Sequence, residues 1–330
     1  MNKSRLFLII SLSFVFLIFG GQVSATTILS PIINIETEPG QTQRGVIKVY
    51  NESDSDIYLV SSLEAFLADD EFGIPKFYQP AEDNNFLSWI KLDAKDIVLK
   101  PKQVGIIPFD VNVPIEAIPG GYYAAIFWQQ IAQSTGETSP VGISGRVGAL
   151  VFITVGGDLI AKGELTDFYL AGEKNIATGL PLNYVARFAN QGNVHQAPSG
   201  EITMENIFGV KHVIQFNQEQ RVVLPNSSRQ FEVNWPSQNI QKTKFLEFIN
   251  QAWQEIKLLS FGPHTASLKL NHGFGNVEIA ESQINFWIIP VKSISLLIGT
   301  LIFLFLIFKL RAFAYQKKSL PKNNEAVDKN

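Results

Sequence analysis

Cysteine is absent from this 330-residue chain, so it has no disulfide, no thiol nucleophile and no thiolate metal ligand. Histidine is nearly absent too. The four present are His195, His212, His264 and His272, and none stands at H-x-x-x-H spacing or beside a local carboxylate at metal-ligand spacing. There is no G-x-S-x-G elbow and no P-loop, and Gly148, Gly156 and Gly157 do not form a dinucleotide fingerprint. The run Asp69-Asp70-Glu71 offers oxygen ligands but lacks the D-x-[DN]-x-[DN]-G order of a calcium loop. These gaps lead to the expectation of a chain that is not an enzyme, with no catalytic residues, no cofactor and no metal site.

Long apolar runs, by contrast, are present at both ends. Lys3 and Arg5 precede an apolar stretch from Leu6 to Phe19, which reaches small residues at Val23-Ser24-Ala25. That order reads as a secretory signal over residues 1–25, cleaved after Ala25. A second apolar run covers residues 287–308, followed by Lys309, Arg311, Lys317 and Lys318. About 20 apolar residues span a bilayer, and the basic flank stays on the cytoplasmic side. The expected arrangement is a single-pass type I protein of the cell membrane, with a cytoplasmic tail over 309–330. Charge is divided the same way. Residues 26–290 hold 18 basic and 28 acidic side chains, while the tail holds six basic and two acidic. An acidic exported part speaks against nucleic acid as a partner.

Between the two runs, short alternating or β-branched segments are punctuated by Gly, Pro, Asn and Asp. Examples are residues 45–50, 57–62, 104–113, 122–128 and 148–155. Period two with such turns predicts antiparallel sandwiches. In 104–113, Val104 and Ile106 share a phase, and Phe109, Val111 and Val113 share another, so Pro108 reads as a break, an edge or a bulge. The chain also repeats itself. Phe109-Asp110-Val111-Asn112-Val113-Pro114 matches Phe231-Glu232-Val233-Asn234-Trp235-Pro236. Each copy follows a turn-like stretch, Lys100-Pro101-Lys102-Gln103 or Leu224-Pro225-Asn226-Ser227. Each copy also lies downstream of a strand ending in Asn, at Asn51 or Asn190. The fold expected is all-β: two tandem immunoglobulin-like β-sandwiches over 26–156 and 157–286, plus one transmembrane helix.

One helix interrupts the second sandwich. Phe245, Phe248, Ile249, Ala252, Trp253, Ile256 and Leu259 recur at three and four residues, which predicts an amphipathic helix over 243–258. Its polar side mixes Lys244 with Glu247 and Glu255. That mixture favours packing over an open sheet edge above a basic helix lying on lipid. In the run from Pro119 to Trp128, Tyr122 or Tyr123 suits a tyrosine corner, and Trp89 and Trp128 suit the core.

The order of signal, two Ig-like modules, one C-terminal helix and a short basic tail resembles the WxL-interacting cell-surface proteins of bacteria. The resemblance rests on Pro39-Gly40-Gln41-Thr42 followed by a strand and Asn51, on the segment Val104–Pro114, and on the run Gly120–Phe127. It implies a first domain associated with peptidoglycan and a second turned to a host or partner surface.

The function expected is binding or scaffolding at the bacterial envelope through protein or cell-wall contacts, with no small-molecule substrate. The loops 68–85 and 129–140 are the candidate surfaces. Two alternatives stay open: an exported chaperone clasping client strands at a sheet edge, and an envelope hydrolase.

Overall fold

The computed structural model describes residues 26–319 except 70, 82–84, 132–144, 173–174, 237–242 and 277. The expected signal segment and residues 320–330 lie outside the described residues. The chain divides into two compact units. The first is Met1–Lys162 with Gln191–His195 and Leu224–Ser227; the second is Gly163–Asn190, Gln196–Val223 and Ser228–Asn330. Both are β-sandwiches of immunoglobulin-like layout, and the fold is all-β apart from one inserted helix and a C-terminal apolar helix.

In the first unit one sheet holds β1 (Thr26–Ile28), β3 (Thr42–Asn51), β8 (Val104–Asn112) and β6 (Ile90–Leu92), in that order. The other runs β2 (Ile32–Thr37), β10 (Arg146–Val155), β9 (Gly120–Ile131), β4 (Ile57–Ala68), β5 (Pro75–Tyr78), with β7 (Asp96–Leu99) also paired to β4. Between the sheets lie Ile47, Val49, Leu59, Phe109, Ile126 and Trp128, all essentially inaccessible to water. Removing such side chains from water is the main force holding a sandwich that has no disulfide. β9 is buried on both faces. Tyr122, Ala124, Ile126 and Trp128 meet the core, while Tyr123 and Phe127 join Phe66, Phe77 and Phe152 on the opposite side. This is why its sequence is apolar nearly throughout instead of alternating.

The alternation in β8 differs from the sequence reading. Its register with β3 is unbroken from Tyr50↔Val104 to Thr42↔Asn112. Ile107, Phe109 and Val111 are buried, while Val104 and Ile106 face solvent. There is no change of phase at Pro108; apolar residues simply occupy both faces at the start of the strand. Gly105 belongs to the buried phase because Leu99 fills its place: a Cβ there would stand 2.6 Å from Leu99 Cδ2. Pro108 stands where the β6 pairing stops: its carbonyl accepts from Asp93 N–H at 3.1 Å, just past Leu92 opposite Phe109, so no ladder bond of β6 calls for its missing donor.

The second unit repeats the plan. β11 (Gly163–Leu170), β13 (Leu182–Asn190) and β16 (Ser227–Trp235) form one sheet. β12 (Ile176–Ala177), β18 (Glu278–Ile288), β17 (Gly262–His272), β14 (Ser199–Asn206) and β15 (Lys211–Phe216) form the other. In both units a short strand runs parallel to the last one, β2 against β10 and β12 against β18. In both, the last two strands form an antiparallel pair. The repeat extends to single residues. Phe109 and Phe231 are both buried. Lys102 and Asn226, each after a proline, both have positive φ, as the third position of a type II turn requires. The second core is built on Leu182, Tyr184, Phe188, Ile202, Leu268 and Leu270.

The interrupting helix, α1, is Lys244–Lys257, with the Thr243 side chain capping its first turn. The C-terminal helix, α2, is Val291–Ser319. Trp287 and Ile288, which the sequence reading counted with the apolar helix, are the last residues of β18. They pair with Pro263 and Gly262, because a strand already carrying alternate apolar residues extends that far. Only Ile289 and Pro290 separate strand from helix.

Candidate binding surface

The four histidines are spread over both units. His195 lies against Tyr123 and Phe152. His212 rests on the Trp235 ring at 4.9 Å. His264 stacks on Phe286 and bonds the Gly262 carbonyl through Nδ1 at 3.0 Å, and His272 meets Phe188. Burial lowers the pKa of His195 and of His264; Glu36 opposes the shift at the first and the Gly262 carbonyl at the second, while His212 adds to it at the second. Burial therefore favours the neutral ring at His195 and His264. Among the described residues no group of His, Asp and Glu is placed to hold a metal ion. Tyr122 does form the corner, its hydroxyl donating to the Ile118 carbonyl at 2.8 Å. Trp128 is in the core, and Trp89 packs on Phe86 and Tyr122.

Of the two loops singled out from sequence, 68–85 contributes β5, whose Phe77 meets Phe127 at 4.9 Å. It is partly a structural flap over the outer face of the sheet. Most of 129–140 lies outside the described residues.

The surface that stands out geometrically is a flank of the second unit. β15 and β16 are each the last strand of their sheet, so the sandwich is open on that side. Asn206 N–H donates to the Val210 carbonyl at 3.1 Å, and the register continues with Met204 opposite His212. Alternation then turns the backbone groups of His212, Ile214 and Phe216 toward β14. Those of Lys211, Val213 and Gln215 turn outward. The same three residues expose their side chains, whereas Ile214 and Phe216 are buried. A short groove separates the two edges, lined by Gln215, Asn217, Arg221, Glu232 and Asn234 above Ile214 and Phe231. Its volume is about 210 Å³, below the roughly 300 Å³ at which small-molecule pockets begin. Mixed polar walls between two strands that end their sheets fit a peptide backbone better than a compact ligand. The turn at one end is fixed from inside: Asn217 Nδ2 donates to the Pro198 and Arg221 carbonyls at 2.8 and 2.9 Å.

No signal marked this flank in the sequence. β15 reads as an ordinary alternating strand, and its edge position depends on pairings made by residues far along the chain.

A second feature joins the two helices. Glu255 is buried, and its Oε2 accepts from the Ser293 N–H at 2.9 Å and the Ser293 hydroxyl at 2.6 Å. The carboxylate thus caps the first turn of α2, where free N–H groups and the helix dipole favour negative charge. The capping of α2 accounts for a buried acid that the helical pattern assigned to a polar side. Ser293 Oγ lies within 2.8 Å of the Ala252 carbonyl, and Lys292 Nζ reaches the Leu180 carbonyl. α1 is therefore fastened to the start of α2.

No family model and no curated protein matches this sequence. Among solved structures, it is similar to a chain of the chaperone–tip adhesin complex of CFA/I fimbriae, at 12% identity and a TM-score of 0.39, covering 78% of this chain and 98% of that one. The E. coli chaperone DraB is similar at 12% identity and 0.36, covering 81% and 96%. The periplasmic chaperone SfaE is similar at 10% identity and 0.32, covering 80% and 100%. At these values the likeness assigns no role to this chain.

Proposed function

We propose that this protein is a membrane-tethered, extracytoplasmic strand-binding protein, which holds an extended segment of another envelope protein at the open flank of its second sandwich. The reading is non-enzymatic and carried by one observation: among the described residues β15 and β16 are each last in their sheet, and both border one groove. Free edges bind extended peptides through main-chain hydrogen bonds, with alternate side chains supplying selectivity.

The tether is part of the proposal. Val291–Phe313 is long and apolar enough to cross a membrane; at 1.5 Å per residue its 23 residues span about 35 Å, against a hydrocarbon core of about 30 Å. Lys309 and Arg311 then mark the cytoplasmic end. Confinement to a thin layer beside the membrane raises the local concentration for any partner there.

Proline substitution tests the edge. In Val213→Pro the lost N–H points outward, so the sheet keeps its own bonds while a bound strand loses one. In Ile214→Pro the lost N–H serves β14, and the unit itself should be destabilised. With the full chain in membranes and site-specific photo-crosslinking from position 211, the V213P chain should fold normally and lose its protein partner. Undiminished capture by V213P, or recovery of cell-wall fragments in place of a protein, would contradict the reading. Whether the bound segment belongs to a folded partner or to an unfolded client is decided by adding a denatured test protein: chaperone-like action predicts suppressed aggregation.

A further inference from the structure

The second unit carries apolar side chains where its own fold does not use them, and they gather at one end. Ile288 is the last residue of β18 and pairs with Gly262, so that end of the sheet adjoins the start of α2. β14 runs antiparallel to β17 with Asn206 opposite His264, which brings the β14–β15 hairpin tip to the same end. Such tips are normally built from Gly, Asn, Asp or Ser. Here the tip is Ile207-Phe208, 59% and 57% exposed, with the Phe208 ring against Phe261.

α1 adds a second apolar surface. At roughly 100° per residue, Phe245, Ile256, Trp253 and Leu246 fall within an arc of about 100°. All four are exposed, Phe245 at 70% and Trp253 at 63%. The neighbouring face of the helix carries Ala252 and Glu255, which hold Ser293. The exposed stripe is therefore locked beside the first turn of α2, whose own apolar side chains, Ile294 and Leu297 among them, are exposed.

We infer that α1 and the Ile207–Phe208 tip lie in the interfacial layer of the membrane that α2 crosses, so that the second sandwich rests on the lipid surface instead of swinging above it. This inference rests on the spanning assignment of α2. The occupant is lipid because the clamp to Ser293 keeps the stripe at the depth where the spanning helix begins, and both helices expose apolar side chains there. Trp and Phe on one face suit this layer. The other face mixes Lys244 and Lys257 with Glu247, so attachment should not require anionic lipid.

The absence of cysteine makes the test direct. Single-cysteine variants of the full chain, L246C, I256C, Q254C and L304C, are labelled with an environment-sensitive fluorophore and reconstituted in phosphatidylcholine vesicles. Spin-labelled lipid and aqueous iodide serve as quenchers. Labels at 246 and 256 should be blue-shifted, lose most of their emission to shallow spin-labelled lipid and resist iodide, whereas the label at 254 should show the reverse. Iodide access at 246 and 256 equal to that at 254 overturns the inference. So does shielding from both quenchers that varies with protein-to-lipid ratio, since a second copy would then cover the stripe. The label at 304 keeps the two readings separate. If deep spin-labelled lipid fails to quench it, the span itself is wrong; if it is quenched while 246 and 256 are not, only the interfacial placement fails.

Discussion

Single asparagines hold the turns of both sandwiches. Asn51 is fully buried, and its Nδ2 reaches the carbonyls of Ser55, Leu99 and Lys100 at 2.8–3.0 Å. Its Oδ1 accepts from Ser53 N–H and the Ser53 hydroxyl. Asn190 does the matching work, donating to the Val223 carbonyl and accepting from Gln196. The sequence marks both as strand ends at polar turns, but not their burial, because the carbonyls of Leu99, Lys100 and Val223 that they reach lie more than thirty residues away. Asn51→Ala would remove a donor from the Leu99 carbonyl and the acceptor of Ser53, while the Ser55 and Lys100 carbonyls keep Ser53 and Gln103; buried unpaired groups cost about 1–3 kcal/mol each. We expect roughly 2–4 kcal/mol of destabilisation confined to the first unit, read as a lower denaturant midpoint for its transition alone. The buried histidines give a pH signature. His195 and His264 have lowered pKa values when folded, so on acidification the unfolded chain takes up protons first. Stability is then full above the ordinary value near 6.5 and falls as pH drops below it, by up to about 1.4 kcal/mol per unit per group. Unfolding midpoints at pH 7.5 and 5.5 should differ, and His264→Gln should reduce the difference. A flat response would contradict this.

At the level of elements, local pattern and partner choice separate cleanly. The three-and-four spacing of Phe245, Ile249, Ala252, Trp253 and Ile256 makes α1 legible as a helix, but the pattern contains two adjoining faces. Which face is buried depends on Ser293, 38 residues beyond Glu255. β8 is a similar case: two interleaved apolar sets leave the phase ambiguous until Leu99 fills the space over Gly105. Glu255→Ala should release α1 from α2. A spin-label pair at the exposed positions Lys257 and Ser295 would give a narrow distance distribution in the parent chain and a broad one in the variant, if that clamp is what fixes the helix. An unchanged distance would assign the fixation to Leu258 and the surrounding core instead.

For the whole molecule, the fold class and its internal duplication were legible because they are written in short-range signals: strand alternation, proline-led turns, and the shared Phe-[Asp/Glu]-Val-Asn motif. The candidate surface was not, because an edge position is a property of sheet order and not of any one segment. A strand's neighbours are chosen by non-local pairing, and Lys211–Phe216 carries no mark of being last. The long apolar helix is legible from its composition, whereas its coupling to α1 emerges only from packing.

The central claim is that a partner strand docks on β15, and amide hydrogen exchange on the full chain with and without its crosslinked partner segment tests it most directly. The outward amides of Val213 and Gln215 should slow on binding, while those of His212 and Ile214, already bonded to β14, should stay as they were. Equal protection along the strand, or no change at 213 and 215 while the partner remains bound elsewhere, would contradict it.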